Sequence, residues 1–107
     1  MKRFTTALCL TFALLVGSVG VSWSADLLKG IKAYESGDYV TALRECTALA
    51  EQGNATCQAL LGGMYQHGKG VPQNFKTAVK WYRRGAEQGL AFAQSQLGLM
   101  YVSGQGV

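Results

Sequence analysis

The sequence predicts an all-α fold, a short α-solenoid of antiparallel helix hairpins. The chain repeats itself every 36 residues, since 50–71 laid over 86–107 agree at 13 of 22 positions. A period of ~20–50 residues is typical of solenoids built from one supersecondary unit. Apolar residues recur at helical spacing, and no segment shows the strict alternation of a half-buried strand. Repeats of this kind present an extended surface to partners.

Residues 1–24 are predicted to be a secretory signal peptide. Lys2 and Arg3 form a positive region ahead of an apolar stretch, and small residues precede the expected cleavage after Ser24. Cleavage after Ala25 is the alternative. The apolar stretch is shorter than the ~20 residues of a membrane-spanning helix, so cleavage is favoured over an uncleaved anchor. We therefore expect an exported protein, periplasmic or secreted, without a membrane span once the leader is removed.

The charge balance does not indicate nucleic acid as a partner. The full chain carries +4, but the residues after 24 hold eight Lys and Arg against six Asp and Glu, a charge of +2. No block of five or more basic residues occurs, so the usual charge-run signal is missing.

The first predicted helix pair occupies 25–53, with helices at 26–36 and 39–52. The apolar face of the first helix comprises Leu27, Leu28, Ile31 and Tyr34. Gly37 is expected to end it, and Asp38 to cap the second helix. The apolar face of the second helix comprises Tyr39, Ala42, Leu43, Cys46 and Ala50.

Three further helices are predicted at 55–67, 75–88 and 91–103. Gly53 and Asn54 precede the third, a loop over 68–72 follows it, and Asn74 is expected to cap the fourth. Their apolar positions are Cys57, Leu60, Leu61, Met64 and Tyr65, then Phe75, Ala78, Val79, Tyr82 and Ala86, then Ala93, Leu97, Met100 and Tyr101. Short connections predict that consecutive helices pack as antiparallel hairpins.

Two glycines lie in helix interiors at the same phase of the repeat, Gly62 and Gly98. An interior glycine costs about 1 kcal/mol relative to alanine, so its recurrence predicts close approach of a neighbouring helix. We expect the same of four alanines, Ala42, Ala55, Ala78 and Ala91.

The pattern resembles the Sel-one-like repeat, a relative of the tetratricopeptide repeat. Its residues in the first full unit are Ala55, Gln58, Leu61, Gly62, Tyr65, Gly68, Gly70, Val71, Asn74, Lys76, Ala78, Trp81, Tyr82, Ala86 and Gly89. In the second they are Ala91, Ala93, Gln94, Leu97, Gly98, Tyr101, Gly104, Gly106 and Val107. The resemblance implies a right-handed α–α superhelix with a complete repeat at 55–89 and an incomplete one at 91–107. Residues 25–53 then form a degenerate, tetratricopeptide-like first pair.

No enzyme, cofactor or metal motif is found. The sequence has no S-x-x-K, H-E-x-x-H, C-x-x-C or G-x-S-x-G. Lys69 lies in a Gly-Lys-Gly turn without the spacing of a phosphate loop. His67 is the only histidine, so it is expected near the last carbonyls of a helix rather than at a metal.

Cys46 and Cys57 are the two cysteines that remain after the leader. Counting along a hairpin that pivots at Gly53 places Cys46 opposite a residue nearer Leu61, beyond the ~7 Å Cα limit for a bridge. Two buried thiols are therefore expected. A disulfide is the alternative, because an even number of cysteines in an exported protein favours one. In the cysteine-rich branch of the resembled family, the paired cysteines match the phases of Ala50 and Gln58 instead.

The fourth helix carries a basic stripe, Lys76, Lys80, Arg83 and Arg84. A solvated face is the expected reading, with recognition of an acidic partner as the alternative. Trp81 and Tyr82 are expected in the core rather than in a ligand cage.

The resemblance implies a non-enzymatic scaffold that binds a protein or peptide on the inner surface formed by 55–67 and 91–103. The expected contacts are Asn54, Gln58, Gln66, His67, Gln94, Gln96 and Val102. Gln58 and Gln94 recur, so a hydrogen bond between helices is an equal alternative for both. The family pattern continues with a Trp-Tyr helix that is not in the sequence, which leaves self-association through the last helix open.

Two other functions compete with the scaffold. The chain could be a truncated remnant of a longer repeat protein without independent function, since solenoids usually need about three repeats. It could also bind or hydrolyse β-lactams, as proposed for the cysteine-rich relatives. The missing S-x-x-K and the shifted cysteines oppose that activity.

Overall fold

The computed structural model describes residues 25–107, and this part of the chain is all α-helix and loop, with no strand. Five helices follow one another: α1 (25–36), α2 (Tyr39–Glu51), α3 (Ala55–His67), α4 (Phe75–Glu87) and α5 (Ala91–Ser103). The predicted fold class is confirmed, and each helix begins and ends within one residue of its expected position. The predicted leader, including Cys9, lies outside the described residues. Within 25–107 no helix is both long and apolar enough to cross a membrane.

Short polar side chains start three of the helices. Each accepts a hydrogen bond from the backbone N–H three residues on: Asp38 from Thr41, Asn54 from Cys57, and Asn74 from Thr77. Such caps satisfy backbone donors that the first turn leaves unpaired. α5 begins after Leu90, whose side chain makes no such bond. α3 and α5 end at Gly68 (φ +66°) and Gly104 (φ +72°), in the left-handed conformation that glycine adopts without strain.

Two apolar clusters hold the five helices together. The first joins α1, α2 and α3 through Ala33, Ala42, Cys46, Leu49, Ala50, Cys57, Leu61 and Met64. The second joins α3, α4 and α5 through Ala59, Ala78, Val79, Tyr82, Ala93 and Met100. Because α3 contributes to both, it is the central helix of the array.

Close approach occurs at one of the two repeated glycines. A Cβ on Gly62 would lie 2.6 Å from the Tyr82 ring, so the prediction is confirmed there. It is wrong at Gly98, which has no such neighbour within 4 Å, because no described helix follows α5 with an equivalent aromatic ring. Of the four alanines, Ala42 and Ala78 are buried, Ala55 is half-buried and Ala91 is exposed.

Candidate binding groove

A groove of about 310 Å³ is lined by residues of α1, α3, α4 and α5. Its volume falls at the lower end of ligand pockets, which span roughly 300–1,000 Å³. The residues that line it are Tyr34, Thr56, Ala59, Leu60, Gly63, His67, Tyr82, Leu90, Phe92 and Gln96.

α3 provides the floor of this groove. Its lining residues are Thr56, Ala59, Leu60, Gly63 and His67, which share one helical face because they are three or four residues apart. At Gly63 the absent side chain leaves space: a Cβ there would lie 3.4 Å from the Tyr82 hydroxyl and 3.9 Å from the Tyr34 hydroxyl. A larger residue at Gly63 would therefore fill part of the groove.

The walls come from α5 and α1. Phe92 and Gln96 are one turn apart on α5 and face the groove, and the Phe92 side chain is 55% exposed. On the other side Tyr34 packs edge-on against Tyr39, with ring centroids 5.6 Å apart. The ammonium of Lys69 lies 5.7 Å from the centre of the Tyr34 ring, a distance at which cation and ring attract.

Tyr82 reaches the groove from α4. The residue is 1% exposed, and its hydroxyl donates a hydrogen bond to Gln66 Oε1 at 2.9 Å. Burial raises the pKa of Tyr82 to about 12, because the phenolate would be poorly solvated there. The hydroxyl therefore remains a donor at neutral pH.

Of the predicted partner contacts, the structure places His67 and Gln96 on the groove. Asn54 instead caps α3, and Gln66 accepts a hydrogen bond from the Tyr82 hydroxyl. Val102 is 88% exposed, away from the groove. His67 is the last residue of α3, beside the last carbonyls of the helix as expected, and the N–H of the following Gly68 donates to Met64 O.

The two recurring glutamines bond between helices. Gln58 Nε2 donates to Ala50 O at 3.0 Å, and Gln94 Nε2 donates to Ala86 O at 3.1 Å. Gln58 also accepts from Gln88 Nε2 at 2.8 Å and is 1% exposed. The expectation that Gln58 is an exposed contact is therefore wrong, and the structural alternative holds for both residues.

The basic stripe of α4 is partly engaged within the chain. Arg83 donates to the Tyr101 hydroxyl, and the Arg84 guanidinium lies 4.8 Å from the centre of the Trp81 ring. Lys76 and Lys80 are exposed. Tyr82 is buried and Trp81 is half-buried against the first apolar cluster, in line with the expected core role.

The two cysteines lie much closer than residue counting predicted. Cys46 and Cys57 are both fully buried as free thiols, and their Sγ atoms are 2.6 Å apart. The prediction that Cys46 faces a residue nearer Leu61 than Cys57 is therefore wrong, whereas the structure has the two buried thiols that were expected. The hydrogen bond that Cys57 donates lowers the pKa of Cys46 and raises the pKa of Cys57.

Sequence reasoning missed most of the lining residues, among them Tyr34, Leu60 and Phe92. The spacing of 56, 59, 60, 63 and 67 carried the signal, because it defines one face of α3. Of that face, His67 was expected as a contact and Leu60 as a core position, whereas Thr56, Ala59 and Gly63 were given no role. Elsewhere in 25–107, no group of three or more His, Cys, Asp or Glu side chains is placed to hold a metal ion.

Consecutive helix hairpins with a 36-residue period define a short α-solenoid. Residues 55–90 and 91–107 match the Sel1 repeat family model, so this part of the chain consists of Sel1 repeats. Sel1 repeat proteins are generally protein-interaction scaffolds.

A solved structure supports the same assignment. The crystal structure of a Sel1 repeat protein from Oxalobacter formigenes is 40% identical, with a TM-score of 0.71. The match covers 75% of this chain and 33% of that chain, so the present chain spans about a third of its length. No curated protein matches the chain.

Proposed function

We propose that this chain is a non-enzymatic interaction module of the cell envelope or the extracellular space, and that its groove holds an apolar segment of a protein partner. One observation carries the proposal: residues of α1, α3, α4 and α5 line a mainly apolar groove of about 310 Å³. The Sel1 repeat assignment supports a protein as the partner.

The lining of the groove favours an uncharged segment. None of its ten lining residues is Asp, Glu, Lys or Arg, so a charged side chain would be buried there without an opposite charge. The volume fits one or two large apolar side chains. Three polar residues, Thr56, His67 and Gln96, also line the groove. Their side chains can form hydrogen bonds with the backbone of a bound segment.

The groove is tested by selecting binders from a random peptide library displayed on phage, with the purified chain as bait. Selected peptides should share a large apolar residue. Phe92→Ala should weaken their binding at least about tenfold, because removal of a buried anchor costs more than about 1.4 kcal/mol. Affinities are measured by fluorescence anisotropy with one labelled peptide.

Leu99→Ala is the matched control. Leu99 lies on the same helix and is 59% exposed, close to the 55% of Phe92, but it does not line the groove. The affinity of the Leu99→Ala variant for the labelled peptide should stay within about twofold of that of the unchanged chain. Loss of binding in Leu99→Ala with none in Phe92→Ala would contradict the groove and point to the outer face of α5.

Export is a separate part of the proposal, supported by the predicted leader at 1–24. In a Gram-negative host, the chain with a C-terminal tag should be recovered from the periplasm with an intact mass that begins at Ala25. Leu14→Asp with Leu15→Asp interrupts the apolar stretch and should keep the chain in the cytosol. A full-length product in the cytosol for both forms would refute export and leave the groove proposal standing.

A further inference from the structure

Cys46 of α2 and Cys57 of α3 meet in the core of the first apolar cluster. Their Sγ atoms are 2.6 Å apart, and both residues are fully buried. Non-bonded heavy atoms pack at about 3.5–4.0 Å, whereas the sulfurs of a disulfide are about 2.05 Å apart. The distance between the two thiols is therefore closer to that of a bond than to that of ordinary packing.

Small neighbours give the pair its space. Cys46 occupies the position in α2 that Tyr82 occupies in α4, 36 residues later. Tyr82 faces Gly62, and Cys46 likewise faces a glycine, because a Cβ on Gly30 would lie 3.0 Å from the Cys46 Sγ. A sulfur in place of an aromatic ring leaves room for a second sulfur from α3.

We propose that Cys46 and Cys57 form an intramolecular disulfide that fastens α2 to α3. The bond joins the first helix pair to the complete repeat. The bond closes the short loop between the two cysteines. Such a cross-link stabilises a fold by reducing the conformational entropy of the unfolded chain.

The bond forms by exchange with a disulfide oxidant, for which glutathione disulfide is the probe. The Cys46 thiolate attacks one glutathione sulfur, which gives a mixed disulfide and releases one glutathione thiolate. The sulfur of Cys57, after loss of its proton, attacks the Cys46 sulfur and releases the second thiolate. Two cysteines are oxidised, one glutathione disulfide is reduced to two glutathione molecules, and these take up both cysteine protons. Because both sulfurs are buried, exchange requires local opening of the hairpin.

The test uses the full-length chain, which still contains Cys9. It is purified in reduced form, incubated with glutathione disulfide and then quenched with acid. Free thiols are alkylated in denaturant, and the chain is cleaved after glutamate. Glu51 lies between the two cysteines, so cleavage places them on different peptides that stay together only through a disulfide. Mass spectrometry should show the linked pair, and reduction should separate it.

A second readout measures the effect on stability. The melting temperature of the oxidised chain, followed by circular dichroism at 222 nm, should fall by roughly 10–20 °C on reduction. Cys9→Ser should leave both results unchanged, because its thiol is not part of the pair. Cys46→Ser with Cys57→Ser should remove the linked peptide and make the melt independent of reductant.

Separately alkylated Cys46 and Cys57 after oxidation, or a link to Cys9 instead, would overturn the proposal. So would a melting temperature of the linked form that does not change on reduction. The reaction is run on purified protein with an added oxidant, so its failure would not depend on export or on the groove.

Discussion

In α3, Gly62 lies against the ring of Tyr82, whereas Gly98, 36 residues later in α5, has no such neighbour within 4 Å. The two helices share most of their repeat positions but differ in burial. Leu61 is 1% exposed, while its counterpart Leu97 is half-buried. The repeat sequence therefore gives both helices a face on which another helix can pack. The residues of that face are buried only where the next helix packs against them.

Alanine at the two glycines should have opposite effects on stability. Gly62→Ala places a methyl group against the Tyr82 ring, and overpacking of this kind costs about 1–3 kcal/mol. Gly98→Ala meets open space and gains helix propensity, so it should stabilise the chain by up to about 1 kcal/mol. Urea unfolding of both variants measures the two values. Equal destabilisation would show that α5 is covered in solution.

Alanine substitutions at Gln58 and Gln94 should differ less in their effect on stability than those at the two glycines. Gln58 is buried and takes part in two hydrogen bonds, so Gln58→Ala should cost about 1–2 kcal/mol by leaving polar groups unpaired. Gln94 is exposed, and water can replace its bond, so Gln94→Ala should cost about 0.5 kcal/mol or less. The same urea titration compares them, and a larger loss at Gln94 would contradict the assigned burial.

The smallest expected effect is a pH dependence from Tyr82. Its folded pKa, about 12, lies above the ordinary value of 10 because the residue is buried. The folded state thus holds the proton more tightly than the unfolded state, so this contribution is complete below pH 10 and is lost as the pH rises towards 12. Thermal melts between pH 9 and 11 should fall less steeply for Tyr82→Phe than for the natural chain. Parallel slopes would show that Tyr82 titrates normally.

The helices and most of the core follow from the sequence, because apolar spacing and turn residues act locally. Asp38 and Asn74 were recognisable as caps for the same reason. Asn54 has the same capping chemistry but was assigned to a partner, since its exposure could not be judged without the neighbouring turn. Local signals thus locate helices reliably but do not separate structural from binding polar residues.

The groove and the cysteine pair depend on how helices approach one another. Counting from Gly53 gives the offset of Cys46 and Cys57 along the helix axes, but it omits the closeness of those axes. Gly30 lies against the Cys46 sulfur, because a Cβ there would be 3.0 Å from it, and this small neighbour leaves space for the sulfurs to meet. Phe92 was overlooked for a related reason, because its role depends on the face of α3 across the groove.

The bonds from Gln58 to Ala50 and from Gln94 to Ala86 each span eight residues and recur with the 36-residue period. The donor and the acceptor of each bond lie on opposite sides of the boundary between consecutive units. Each junction is therefore joined by its own hydrogen bond. A duplicated copy of 55–90 inserted after residue 90 would bring both an acceptor for Gln94 and a donor for Ala86. An array lengthened by whole units would therefore keep the same hydrogen bond at each junction.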